Sequence, residues 1–183
     1  RFSWGTQEKK EFGIYGAMNQ GLNYADRSEW VLFWGSDDWA VDKKSLSVIV
    51  KSINTFIDKK PYLIISKTKY FDLKNNRIGR KSIFLNKKNL IINSEKFQEL
   101  LFLGYSPPHQ GTIFSPEAIA NRKLYSCSYK IAADLDYFLR ISSLKNINIF
   151  LLDQYTVIMG LGGFSSLSNL QRFKEVINIY YSK

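Results

Sequence analysis

The chain has 183 residues, 45% apolar and 15% aromatic, enough for one domain with a sizeable core, so disorder is not its default state. Lys and Arg number 26 against 16 Asp and Glu, a formal net charge of +10 that suits an anionic partner: nucleic acid, a phosphorylated ligand or an acidic membrane surface. The single Cys127 excludes an intramolecular disulfide framework and a cysteine-based structural zinc site, and no apolar run approaches the roughly 18 to 20 residues that span a bilayer.

A reducing cytoplasm is the natural setting for such a chain. "RFSWGTQEKKEFG" lacks the apolar stretch of a signal peptide. The chain does not begin with Met, which points to a processed or excised piece of something longer.

Ile14, Met18, Leu22 and Ala25 recur every three to four residues and predict a helix, with Tyr15 and Asn19 together on another face. Gly21 inside it costs about 1 kcal/mol relative to Ala, so close packing against a neighbour is expected there. A buried strand comes next, around Trp30 to Trp34. Leu46, Ile49, Val50, Ile53, Phe56 and Ile57 predict a helix within 43–59, and Pro61 marks its end.

"YLIIS" (62–66) reads as a strand that "KYFDL" continues, and "KNNRIGRK" (74–81) reads as a basic, mobile loop. Ser94 is expected to cap a helix through Phe97, Leu100 and Leu101 that ends at Gly104. Gly111 to Phe114 predicts a short strand, and Ser115-Pro116 a helix start. Asp134 opens a helix bearing Leu135, Phe138 and Leu139 on its apolar face, "INIFLL" (147–152) predicts a strand, and a last helix at about 166–181 is to bury Leu167, Leu170, Phe173, Ile177 and Tyr180. Helices interleaved with strands make an α/β sandwich with a mostly parallel sheet, and no boundary divides 1–183 into more than one domain.

"WVLFWGSDDW" drives an apolar strand straight into Asp37 and Asp38. In open α/β sheets, ligands bind beyond the carboxyl ends of strands. Two adjacent acids there form a hard-oxygen site for a divalent cation, completed by water and substrate phosphates. On these residues alone a plainer reading stands beside it, in which Ser36, Asp37 or Asp38 turns the chain and caps the next segment.

The longer block "EFGIYGAMNQGLNYADRSEWVLFWGSDDW" resembles the central part of bacterial family 2 glycosyltransferases, through Gly13, Ile14, Tyr15, Ala17, Met18, Asn19, Gly21, Ser36, Asp37 and Asp38. "PPHQGTIFS", "YKIAADLDYFLRI" and "MGLGGFSS" resemble later motifs of the same family, so the likeness runs from about Glu11 to about Ser166. It implies a GT-A-like, Rossmann-like α/β/α sandwich and sugar transfer from a nucleotide-diphosphate sugar, with UDP the expected nucleotide, to a saccharide or lipid-linked saccharide hydroxyl, with inversion. By position, Asp38 is to bind manganese or magnesium and Asp37 to contact the nucleotide or help hold the metal. Asp134 is to act as general base on the acceptor.

Tyr15 and Asn19 shape the donor pocket or else pack their helix onto the sheet. His109 either bonds the diphosphate, the metal shell or the acceptor, or is a structural hydrogen-bonding residue. Arg140 pairs with a phosphate or with Asp134 or Asp136, and Gly162 with Gly163 forms a lid or an ordinary turn. Asp134 itself has the alternative of a plain helix N-cap.

The family's usual opening strand and loop have no counterpart here, so the fold is expected to be N-terminally incomplete by about two strand-helix units of roughly 30 residues each. Gly16 and Glu11 stand where the family often has Asp. Two rival readings remain, a basic nucleic-acid-binding module using stretches such as "KTKYFDLKNNRIGRK", and a degenerate transferase fold serving as a partner subunit. The acids Asp37, Asp38 and Asp134 argue against the first. The basic surface also suits peripheral contact with an acidic inner-membrane face.

Overall fold

The computed structural model describes residues 13–72, 74–82, 84, 90–121, 124–161 and 169–182. Six α-helices lie among them: α1 (Gly13–Tyr24), α2 (Ser45–Phe56), α3 (Ser94–Phe102), α4 (Pro116–Ala120), α5 (Ala133–Ser142) and α6 (Asn169–Tyr181). The described strands are β1 (Val31–Leu32), β2 (Asp38–Ala40), β3 (Pro61–Asp72), β4 (Arg77–Lys81), β5 (Leu90–Asn93), β6 (Thr112–Phe114) and β7 (Asn148–Leu161). They form one sheet in the order β1-β6-β3-β7-β2, with β4 added to β3 and β5 to β7.

The α/β layering agrees with the sequence, but the sheet is mixed rather than mostly parallel. Only the central β3–β7 pair is parallel, and every other described pairing is antiparallel. A parallel pair needs a long crossover, here the stretch carrying α3 to α5, whereas β3 and β4 meet through a tight turn.

Period-two alternation explains why the central strands read as unbroken apolar runs: both of their faces are covered. Ile64, Ile113, Phe150 and Leu152 point toward α2, where Ile49 meets them. Leu63, Ile65, Phe114, Ile149 and Leu151 point the other way, into a larger core with Tyr15, Phe97, Leu101, Phe138 and Ile179.

Several local readings change register. In α1 Leu22 is buried and Met18 and Ala25 pack against the core as predicted, but Ile14 is exposed and Tyr15, placed on another face by the sequence, is buried as well. In α6 Ile179 is buried with Val176 and Tyr180 beside it, and Leu170, Phe173 and Ile177 face solvent; Leu167 lies outside the described residues. Gly21 does pack closely, the Phe33 ring lying 3.4 Å from where a Cβ would stand.

Asn93, not Ser94, caps α3 by accepting the Lys96 N–H at 3.0 Å, while Ser115 caps α4 as expected. Helix α3 ends at Phe102 with Leu103 as its C-cap, and Gly104 follows with a φ of +84° that suits glycine. The basic segment 74–81 is a turn and a strand: Asp72 accepts from the backbone of Lys74 and Asn75, and β4 returns antiparallel to β3.

Candidate active site

β1 is short because the chain leaves the sheet after Leu32 to form the turn that carries the acids. Asp38 N–H donates to the Gly35 carbonyl at 3.2 Å, and Gly35 N–H donates to Asp38 Oδ2 at 2.6 Å. Gly160, near the end of β7, donates its N–H to the Asp37 carbonyl at 3.0 Å. Trp34 Nε1 donates to the Gln110 carbonyl at 3.1 Å and so ties the turn to the "PPHQG" segment.

The two carboxylates converge over Gly35. The position a Cβ would take there lies 2.9 Å from Asp37 Oδ1 and 3.1 Å from Asp38 Oδ2, and at Gly160 it would lie 3.1 Å from Asp37 Oδ2. Both glycines therefore leave room that the acids fill.

Asp37 is exposed and Asp38 half-buried. Burial, with the neighbouring Asp37 charge, raises the Asp38 pKa against the hydrogen bonds from Gly35 and Gly160 that lower it. A divalent cation fits this pair: it would offset the repulsion between them, and hard oxygens are its preferred ligands. No group of three or more His, Cys, Asp or Glu side chains suited to a metal occurs among the described residues, so its other ligands would be water and ligand phosphates.

A second group of predicted residues gathers around Tyr125. Asn19 clamps its backbone, donating to the Tyr125 carbonyl at 2.9 Å and accepting its N–H at 2.7 Å. The Tyr15 ring stacks on Tyr125, and its hydroxyl donates to the Ile131 carbonyl at 2.8 Å. His109 Nε2 lies 2.7 Å from the Tyr125 hydroxyl.

His109 is only 5% exposed, and burial lowers its pKa to about 4, so it is neutral at pH 7. Its Nδ1 has no hydrogen-bond partner among the described residues. The bonds of Tyr15 and Asn19 thus go to the 125–131 loop that leads into α5.

Asp134 sits in the first turn of α5, behind the N-cap Ala132, and is not the cap itself. Its pKa is raised, chiefly by burial, with the Leu135 N–H, Arg172 and Tyr15 pulling the other way. A carboxylate with a raised pKa is the stronger base. Arg140 pairs with the buried Asp136 at 2.9 Å and donates to the Leu124 carbonyl, which is the structural alternative for that residue.

Glu175 of α6 holds the backbone that leads into Asp134. Its carboxylate accepts three successive backbone N–H groups, Lys130 at 3.0 Å, Ile131 at 2.9 Å and Ala132 at 3.0 Å. Nothing local in the sequence marks Glu175, 43 residues away from Ala132. No local signal marks Tyr125 either, and only the glycine-rich surroundings hint at Gly160. Gly162, Gly163 and Glu11 lie outside the described residues.

No protein-family model and no curated protein matches the chain. Its mixed sheet and flanking helices form a Rossmann-like fold shared with solved structures. The solved neighbours include S. aureus TarS 1–349 in complex with UDP, at TM-score 0.62 and 21% identity over 94% of this chain and 45% of that one. A second structure of TarS 1–349 superposes at TM-score 0.57 and 22% identity over 84% and 42%. The likeness at such identities is one of fold, and this chain spans less than half the length of those chains. Among the described residues no helix is long and apolar enough to cross a membrane.

Proposed function

We propose that this chain belongs to an inverting, metal-dependent glycosyltransferase of family 2, which moves a sugar from a UDP-sugar to a hydroxyl of a saccharide or lipid-linked saccharide. Its place is the cytoplasm, in the building of bacterial surface polysaccharide or glycolipid. The observation that carries this reading is the Asp37–Asp38 turn, whose carboxylate oxygens converge over Gly35 beside Gly160 within a fold shared with the UDP-bound TarS structure.

Asp38, with Asp37 beside it, would hold manganese or magnesium, which when bound neutralises charge on a departing diphosphate. Asp37, the more exposed acid, would contact the nucleotide or help hold the metal. Asp134, its pKa raised by burial, takes the proton from the acceptor hydroxyl as that oxygen attacks the anomeric carbon. Asn19 and Tyr15 hold the loop before α5, and Glu175 fixes the backbone from Lys130 to Ala132, so the base is presented on a rigid turn.

Calorimetric titration of UDP with and without manganese tests the donor half. Manganese-dependent binding that Asp38→Ala abolishes is the expected result, and equal binding in that variant would overturn the site. Asp134→Asn is expected to keep UDP binding and to lose transfer by about 10²- to 10⁴-fold.

A further inference from the structure

The basic hairpin has no part in the site so far described. β3, β4 and β7 gather Lys67, Lys69 and Lys81 around one ring, with their Nζ atoms 5.8, 5.3 and 5.6 Å from the Tyr155 centroid. Lys69 and Lys81 are direct cross-strand partners, and Lys67 is opposite Tyr155. Like charges facing each other across a strand pair are destabilising. Among the described residues one carboxylate, Asp153, pairs with a lysine of the cluster, Lys67, so three ammonium groups against one acid leave two positive charges.

The same face of the sheet continues toward the acids. Phe71, two residues after Lys69, meets Trp39 edge to face at 5.5 Å, and Trp39 is 38% exposed and follows Asp38 directly. Gly160, the register partner of Phe71, has its Cβ position 3.1 Å from Asp37 Oδ2, so a ligand held by the lysines can run over an aromatic surface to the Asp37 carboxylate. Lysines on separate stems act as point charges that suit a tetrahedral oxyanion, whereas a planar carboxylate is matched by the arginine fork.

We propose that Lys67, Lys69 and Lys81 form a second, metal-independent anion site that binds a phosphate ester carried by the acceptor. The word acceptor rests on the transferase reading; the anion site does not.

The test titrates inorganic tripolyphosphate, without divalent metal, into the wild-type chain, Asp38→Ala and the double variant Lys69→Gln/Lys81→Gln, and titrates UDP with manganese in parallel. Tripolyphosphate is expected to bind wild type and Asp38→Ala alike and to lose at least about tenfold in affinity in the double variant. That variant should unfold at the same temperature as wild type or higher, because a repulsion is relieved. No tripolyphosphate binding by wild type, or undiminished binding by the double variant, overturns the proposal.

Loss of UDP binding in the double variant would assign the lysines to the donor and also overturn it. Failure of wild type to bind UDP counts against the transferase reading alone, since the tripolyphosphate arm still decides the anion site. Sedimentation with phosphatidylglycerol vesicles separates a membrane source: lysine-dependent vesicle binding without tripolyphosphate binding refutes the acceptor assignment.

Discussion

Replacing Glu175 by Ala removes a carboxylate that accepts three consecutive backbone N–H groups and a fourth bond from Gln171 at 3.0 Å. Lys130 is exposed, so water can replace the bond to its N–H; Ile131 and Ala132 are buried residues, and their N–H groups lose a partner that water replaces poorly. A fully buried orphaned donor costs about 1–3 kcal/mol; these two bonds are part-buried, so the combined loss should be on the order of 1–3 kcal/mol. Glu175→Gln keeps one acceptor oxygen and should lose about half of that.

Urea unfolding of the three proteins at pH 7 measures the difference directly. The Glu175 pKa is lowered even though burial alone would raise it, because the Ile131, Lys130 and Ala132 N–H groups favour the carboxylate. A depressed folded value means stability is present above the unfolded pKa and is lost as pH falls through the folded one. Wild type and Glu175→Gln should therefore converge as the pH drops below the ordinary glutamate range. A Glu175→Ala protein within about 0.5 kcal/mol of wild type at pH 7 would refute the argument that this carboxylate holds the loop before α5.

The site yields two further expected outcomes. His109, lowered from 6.5 to about 4 by burial, contributes stability that is present above pH 6.5 and lost as pH falls toward 4, by about 3 kcal/mol. His109→Gln should flatten the pH dependence of the melting temperature over that window by a matching amount, and an unchanged slope would contradict it. Gly160→Ala places a Cβ 2.9 Å from the Asp37 carbonyl oxygen. Manganese-dependent UDP affinity should fall at least about tenfold while the far-UV spectrum stays native, and retained affinity would show that the turn can shift without consequence.

The local pattern of this sequence determined what short-range physics can determine. Apolar runs such as "YLIIS" and "INIFLL" specify strands covered on both faces, Ser115-Pro116 and Gly104 punctuate helices, and two acids after an apolar strand mark a turn at the sheet's end. Tertiary structure decided which further residues turn inward beside the predicted Met18, Leu22 and Ala25 of α1, and which stripe of α6 is buried. In α1 and α6 more than one apolar stripe competes, and Tyr15 or Ile179 is buried only because Tyr125 or the α3 side of the core is there to receive it.

The mixed sheet was likewise a tertiary outcome, since strand direction depends on partners far apart in the chain: β7 pairs with β3 in parallel and with β2 antiparallel. The same holds for Gly160 beneath Asp37, Glu175 against Ile131 and three lysines around Tyr155. Each contact joins residues more than 40 positions apart, where no periodicity reaches, and each exists because the sheet and its crossover bring those segments together.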